Sequence, residues 1–270
     1  MIYLKNDNEI EKMRISARLV SRTLAEIAGH IRPGVTTSKL NEVAEEFIQK
    51  HNGKAAFKGY GPARNPFPGS LCISINEEVV HGIPGDRLLE AGDIVSVDCG
   101  IIKDGFVGDS AYTFIVEECD EKTMALLKRT MEALYLGIDK AVHGNKTGDI
   151  GAAIQQHCEL ADYGVIRELV GHGIGRQLHE DPAVPNYGKP GKGKRLRSGT
   201  TLAVEPMITM GSRAIKTLED GWTIVTDDGQ RSAHYEHDIV VRDGEAEILS
   251  TFSYIEEITK IEIDNVVTHG

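Results

Sequence analysis

The sequence has 270 residues, 40% hydrophobic and 26% charged, with a mean hydropathy of −0.24. That is ample for a large core without help from metal or disulfide, and it is the composition of a soluble globular chain. Asp and Glu outnumber Lys and Arg by 41 to 30, a net charge of −11 that argues against a wrapping nucleic-acid binder, and no run reaches the ~18 apolar residues of a membrane span.

The N-terminal MIYLKNDNEIEKMRIS has neither an apolar export core nor a small-residue cleavage site, so the chain reads as unprocessed and cytoplasmic. Cys72, Cys99, Cys119 and Cys158 form no C-x-x-C pair, which excludes a cysteine zinc site and fits a reducing compartment. Asn6 with Glu9 three residues on is a helix-start signature. Glu11-Lys12 recurs as Glu121-Lys122, each opening a helical pattern. Gly34, Thr37, Leu40, Val43 and Gly53 align with Gly144, Thr147, Ile150, Ala153 and Gly164. Thr37 and Thr147 read as N-caps, with Gly53 and Gly164 stopping the helices. The echo has a period of about 110 residues, and on these residues alone both a chance match and an internal repeat over roughly 1–118 and 119–250 of a single domain, 1–270, stay open. Segments rich in β-branched residues follow the helices: Leu71–Val80, Asp93–Ile102, Phe106–Val116, Thr201–Thr209 and Tyr235–Arg242. Helices followed by strands predict an α+β fold with an antiparallel sheet.

Four segments carry chemistry. In VSVDCGIIKDGFVGDSAYTF, Asp104-Gly105 is a two-residue hairpin signal. Pairing Lys103 with Phe106 sets Asp98 opposite Ala111, with Asp109 diagonal on the same face. Two such carboxylates repel, and a cation between them removes the conflict. Glu205 is the only charge in the apolar run TTLAVEPMITM, and Glu236 enters the strand of SAHYEHDIVV. His172 sits among Gly171, Gly173 and Gly175, with His179 seven residues on; a phosphate loop is ranked low, because no G-x-G-x-x-G follows a strand. His81 precedes a Gly-Ile-Pro turn. Asp98, Asp109, His172, Glu205 and Glu236 offer four negative charges and one imidazole, a match for two divalent ions such as Mn, Fe(II), Co or Zn in open coordination. Two such ions bridging a water make hydrolase machinery.

These residues, within VDCG, GDS, GHGIG, VEPM and YEH, resemble the motifs of type I methionine aminopeptidases, and the likeness runs on through PGVTT, HGIP, KDGFVGD, HEDP and EDGW. The resemblance implies the pseudo-two-fold pita-bread fold, a central antiparallel sheet flanked by helices. It also implies removal of the initiator methionine from nascent chains. On that footing Asp98, Asp109, His172, Glu205 and Glu236 hold two metals and Glu205 also shuttles a proton. His179 and His81 contact the scissile amide from its two sides. Tyr60, Cys72 and Trp222 line the methionine slot, with Phe67 as a second aromatic. Three features depart from the pattern: a longer loop, GPARNPFPGSL over 61–71; Leu178 where an aromatic often stands; and a long tail after Arg242. Xaa-Pro peptidases share the ligand set but carry a large N-terminal domain for which 270 residues leave no room. Creatine-hydrolysing relatives and metal-free modules of the fold lose ligands, and a ribosome-binding module is a further alternative. The partners expected are nascent N-termini, with the basic run Lys189–Arg197 as a flexible ribosome contact; the chain is expected to be monomeric, with no membrane partner.

Overall fold

The computed structural model describes residues 2–260; the end of the tail, 261–270, lies outside the described residues. The first half begins with two helices, α1 (Asp7–Ala28) and α2 (Thr37–Lys50), followed by strands β1 (Lys54–Ala55), β2 (Cys72–Ile75), β3 (Glu78–Val80), β4 (Ile94–Lys103) and β5 (Phe106–Ile115). The second half again opens on two helices, α3 (Glu121–Ile138) and α4 (Thr147–Glu159), followed by β6 (Gly164–Val165), β7 (Gly171–Gly173), β8 (Glu180–Val184), β9 (Thr201–Val204) and β10 (Met207–Thr209). It continues through β11 (Ile215–Thr217), β12 (Ile224–Thr226), β13 (Ser232–His234), β14 (His237–Val240) and β15 (Glu247–Ile248), and closes with α5 (Ser253–Thr259). No helix among the described residues is long and apolar enough to cross a membrane.

Every strand pairing is antiparallel. Strand β4 pairs with β1 and β2 and with its hairpin partner β5; a second sheet runs β15-β14-β9-β7-β8, and two smaller sheets run β13-β10-β6 and β11-β12-β3. A continuous core joins α1 to α5 to strands of the other three sheets, including Leu24, Leu40, Ile73, Val97, Leu127, Ile154, Val204, Ile239 and Ile255, while β3 packs with β11 and β12 in a smaller cluster. The two halves are stitched where β5 meets the segment before β14. Glu236 N donates to the Ala111 carbonyl at 3.0 Å, Ser110 Oγ to the Glu236 carbonyl at 2.6 Å, and Thr113 Oγ1 to the His234 carbonyl at 2.7 Å.

Asn6 caps α1 as the sequence predicts, with Glu9 closing the capping box. Glu11-Lys12 lies one turn inside α1, whereas Glu121 is the first residue of α3. The other helix signals are displaced by one residue. Thr36, not Thr37, caps α2 by accepting from Lys39 N, and Lys146 occupies the cap position of α4. Thr37 and Thr147 instead turn their hydroxyls to neighbouring loops, at Gly85 and Lys194. Nor do the glycines stop the helices: Asn52 and Asp162 take the left-handed conformation, at φ 56° and 61°, because Asn and Asp tolerate it better than other side chains. Two of the expected strands are broken. Asn76 (φ 55°) turns the chain between β2 and β3, and Pro206, without an N–H, interrupts β9 and β10 at Glu205. The run from Tyr235 becomes strand only at His237, and the tail after Arg242 supplies β15 and α5.

Candidate active site

Asp98 and Asp109 are set by the β4–β5 hairpin. Asp104 and Gly105 both have positive φ, 50° and 77°, which is what a two-residue type I′ turn requires. The register that follows pairs Lys103 with Phe106 and Asp98 with Ala111, and puts Asp109 opposite Gly100. The two carboxyl groups share a face. Asp109 N donates to Asp238 Oδ2 at 2.7 Å, so an acid from β14 braces the backbone of an acid on β5.

His172 comes from β7, squeezed between β8 and β9. A Cβ on Gly171 would overlap the Ala203 carbonyl, and one on Gly173 the Asp181 carbonyl. The glycines thus let three strands approach closely on both sides of His172, whose imidazole lines the cavity. His172 Nδ1 lies 2.9 Å from the Gly173 carbonyl, which can only accept, so the ring proton sits on Nδ1 and the Nε2 lone pair is free. That Nε2 is 3.4 Å from Glu205 Oε1. Glu205 stands at the break between β9 and β10, its carbonyl held by Asn186 Nδ2 at 3.0 Å, and Glu236 is fixed through its backbone to β5.

Ligand atoms of Asp109, His172 and Glu236 all lie within 4.8 Å of one another. One oxygen each of Asp98, Asp109 and Glu236 is buried without a hydrogen-bond partner. Burial pushes the Asp98 carboxyl up to about 7, and burial followed by repulsion from neighbouring acids pushes Asp109, Glu205 and Glu236 far above the usual carboxylate range. Burial pulls His172 down to about 4, which keeps it neutral and able to bind a cation. Unpartnered buried oxygens beside a neutral imidazole are what divalent ions would satisfy, so this donor set fits divalent metal.

The apolar side of the cavity is made by Phe57, Tyr60, Phe67, Cys72, Leu178 and Trp222, and its polar side by His81, His179 and the five acid and imidazole groups above. Every site residue expected from the sequence lies in this one cavity. Tyr60 Oη is 2.6 Å from His179 Nδ1, and the His179 and His172 rings are 4.3 Å apart. Burial pulls His81, at a positive φ of 60°, down to about 4, with the nearby His179 adding to the shift. Three residues escaped the sequence reading. Phe57 has no motif of its own. His234 and Asp238 flank Glu236 at a spacing of two residues in HYEHD, the one sequence signal that could have found them. His234 is fully buried and its Nε2 lies 3.9 Å from Glu205 Oε2.

An antiparallel α+β fold with a buried carboxylate–imidazole cluster defines a class of metal-dependent hydrolase, and the chain belongs to metallopeptidase family M24, whose pattern matches residues 11–243. It is 49% identical over 251 residues to a methionine aminopeptidase of Clostridium acetobutylicum, covering 93% of this chain and 99% of that one. It is 46% identical over 250 residues to methionine aminopeptidase 1 of Bacillus subtilis, covering 93% and 99%. The solved methionine aminopeptidase of Thermotoga maritima superposes with a TM-score of 0.90 at 45% identity, over 93% of this chain and all of that one. Within the family, these relatives place the chain among the methionine aminopeptidases. A prolidase of Pyrococcus furiosus, 18% identical with a TM-score of 0.72, shares the fold. The family and the pita-bread fold are those the sequence motifs imply.

Proposed function

We propose that this metallopeptidase removes methionine from the free N-terminus of peptides and nascent chains when the second residue is small. The observation that carries the reading is the cluster of Asp98, Asp109, His172, Glu205 and Glu236 at the polar end of an apolar slot walled by Tyr60, Phe67, Cys72 and Trp222. Aromatic and thiol walls suit an unbranched thioether side chain. Two divalent ions, drawn from Mn, Fe(II), Co and Zn, would be held by the five clustered residues; when bound they supply an acidified water and Lewis-acid polarisation of the amide. Glu205, which faces both His172 and His234, accepts the proton of the attacking water and returns it to the leaving amine. The Tyr60 hydroxyl lies 2.6 Å from His179 Nδ1; donating there, it would leave the ring proton on Nε2, from which His179 donates to the oxygen that gains charge at the scissile amide. Burial holds His179 below its ordinary pKa, so it acts as a neutral donor, and His81 contacts the same amide from the opposite side. The whole chain serves as one catalytic domain in this reading, with the repeat over 1–118 and 119–250 placing ligands from both halves at the seam.

The basic run is a proposed contact with ribosomal RNA. Lys189, Lys192, Lys194, Arg195 and Arg197 are exposed. The loop's backbone is hydrogen-bonded to the first residues of α4. Gly148 N donates to the Lys192 carbonyl at 3.0 Å, Thr147 N to that of Lys194 at 2.9 Å, and Gly191 N to Asp149 Oδ1 at 2.6 Å. The cations are therefore displayed from a backbone anchored to the start of α4.

The function is tested with metal-loaded protein on Met-Ala-Ser and Ala-Pro-Ala. Release of methionine from the first alone is expected; proline-dependent cleavage would reassign the chain to the Xaa-Pro branch of the fold.

A further inference from the structure

The segment before α1 lies against the turn that carries His179, and the proposed reaction makes no use of it. Lys5 is only 5% exposed, which is rare for a lysine without a partner. Its backbone N–H donates to the Gly199 carbonyl at 2.8 Å, and its Nζ donates to the Tyr3 carbonyl at 3.2 Å and to Glu180 Oε2 at 2.5 Å. Glu180 follows His179 in the chain and pairs with Gly173, which follows His172. Its other oxygen, Oε1, accepts from Arg176 N at 2.8 Å and from Gln177 N at 3.2 Å. One carboxylate therefore closes the turn between the two histidines and ties it to Lys5. A Cβ on Gly175 would lie 2.5 Å from Lys5 Cε and 2.7 Å from Glu180 Oε1, so the glycine leaves the space in which the pair meets. A second link runs outside it, where Tyr3 Oη donates to Glu9 Oε1 at 3.0 Å and Arg176 Nη2 to the same oxygen at 3.3 Å. The Arg176 side chain is 61% exposed, against 1% for Lys5 and 16% for Glu180, so breaking the inner pair is the larger perturbation. At the end of this turn His179 places Nδ1 2.6 Å from Tyr60 Oη and its ring 4.3 Å from that of His172.

We propose that Lys5 and Glu180 are positioning residues, whose ion pair holds the 174–180 turn so that His179 meets the scissile amide. The inference rests on the role given to His179 above. Neither Lys5 nor Glu180 lines the cavity, so each acts through the turn and not on the substrate. An oriented donor stabilises developing charge far better than a loose one, and a misplacement of ~1 Å can cost ~10²-fold in rate.

A double-mutant cycle separates this role from a general loosening of the fold. Lys5→Met keeps an apolar stem and loses the ammonium. Glu180→Gln keeps an oxygen for Arg176 N and Gln177 N and loses the charge that meets Lys5. Each change is made in the manganese-loaded wild type and in His179→Ala, and kcat and KM on Met-Ala-Ser are measured together with bound manganese and Tm. With His179 present, kcat is expected to fall about ten- to a hundredfold in each variant, with KM and bound manganese within about twofold of wild type. With His179 already removed, the same changes should alter kcat by less than about twofold, because the group they position is gone. If Lys5→Met does not fold, Glu180→Gln carries the cycle by itself. An equal fall in both backgrounds, no fall in either, or a change confined to KM overturns the inference alone. A His179→Ala protein that turns over as fast as wild type overturns the role given to His179, and this inference with it.

Discussion

Stripping the metal with a chelator perturbs a cluster of five buried carboxyl groups, and their burial fixes the direction of each consequence. Asp98, Asp109, Glu205, Glu236 and Asp238 are packed together, and burial pushes the carboxyl pKa of each upward, to about 7 for Asp98. At neutral pH the metal-free protein therefore holds protons on this cluster that the unfolded chain, with ordinary carboxylates, does not. A raised folded-state pKa gives stability that is complete below the unfolded value near pH ~4 and is lost as pH rises through the folded value. The metal-free protein should thus weaken between about pH 5 and 8, as Asp98 and then its neighbours are forced to ionise. Divalent ions remove the repulsion, so loading should expel on the order of two protons per chain at pH 7 and fewer as the pH is raised. At a free-metal concentration ~100 times Kd the stabilisation is about 2.7 kcal/mol. That corresponds to a rise in Tm of roughly 5–10 °C for a chain of this size. Calorimetric titration in two buffers of different ionisation enthalpy counts the protons, and thermal melts at pH 6 and pH 8, with and without metal, give the stabilities. Metal binding without proton release, or a metal-free Tm that climbs from pH 6 to pH 8, would refute the reasoning.

Other perturbations separate the roles of single residues. Glu205→Gln keeps the shape but removes a charge and a base, and should lower turnover ~10²- to 10⁴-fold; near-normal turnover in metal-saturated protein would remove Glu205 from the mechanism. His179→Ala is expected to lower turnover with metal content intact, and a parallel fall in metal by elemental analysis would make His179 a ligand. Burial raises the thiol pKa of Cys72 well above its ordinary value, so timed alkylation with mass mapping should modify half-buried Cys119 first, and Cys72 more slowly still when a methionine-like inhibitor fills the slot. Changing Lys192, Lys194, Arg195 and Arg197 to Ser should weaken ribosome co-sedimentation and lower the salt slope by ~0.7–0.9 per lost phosphate contact, with peptide turnover unchanged; equal binding by both proteins at two salt concentrations would leave the loop as a solvated surface.

Much of this site was legible in the chain because its acids break apolar strands. A carboxylate in VSVDCG or TTLAVEP cannot be explained by burial alone, and the Asp104-Gly105 turn fixes the register that brings Asp98 and Asp109 to one face. Glycines around His172 announced a close approach, and the fold places strands on both sides of them. What the sequence concealed depends on contacts between distant segments. The bond from Asp109 N to Asp238 joins β5 to β14, and the pair Asn65–Trp222 spans 157 positions. The displaced cap of α2 has the same kind of cause: Thr36 and Thr37 are both capping residues, and the loop at Gly85, 48 positions on, engages the hydroxyl of Thr37. Basic residues beside glycines suggested flexibility, yet backbone hydrogen bonds to α4, invisible to composition, hold that loop in place.

The central claim is that five residues from both halves of the chain hold the metal on which methionine release depends. Anomalous diffraction from manganese-loaded crystals at the manganese edge tests it most directly. The account predicts two peaks in the slot, bounded at ~2.0–2.3 Å by Asp98, Asp109, His172, Glu205 and Glu236. Peaks elsewhere, or manganese held by His234 and Asp238 with those five side chains turned away, would contradict it.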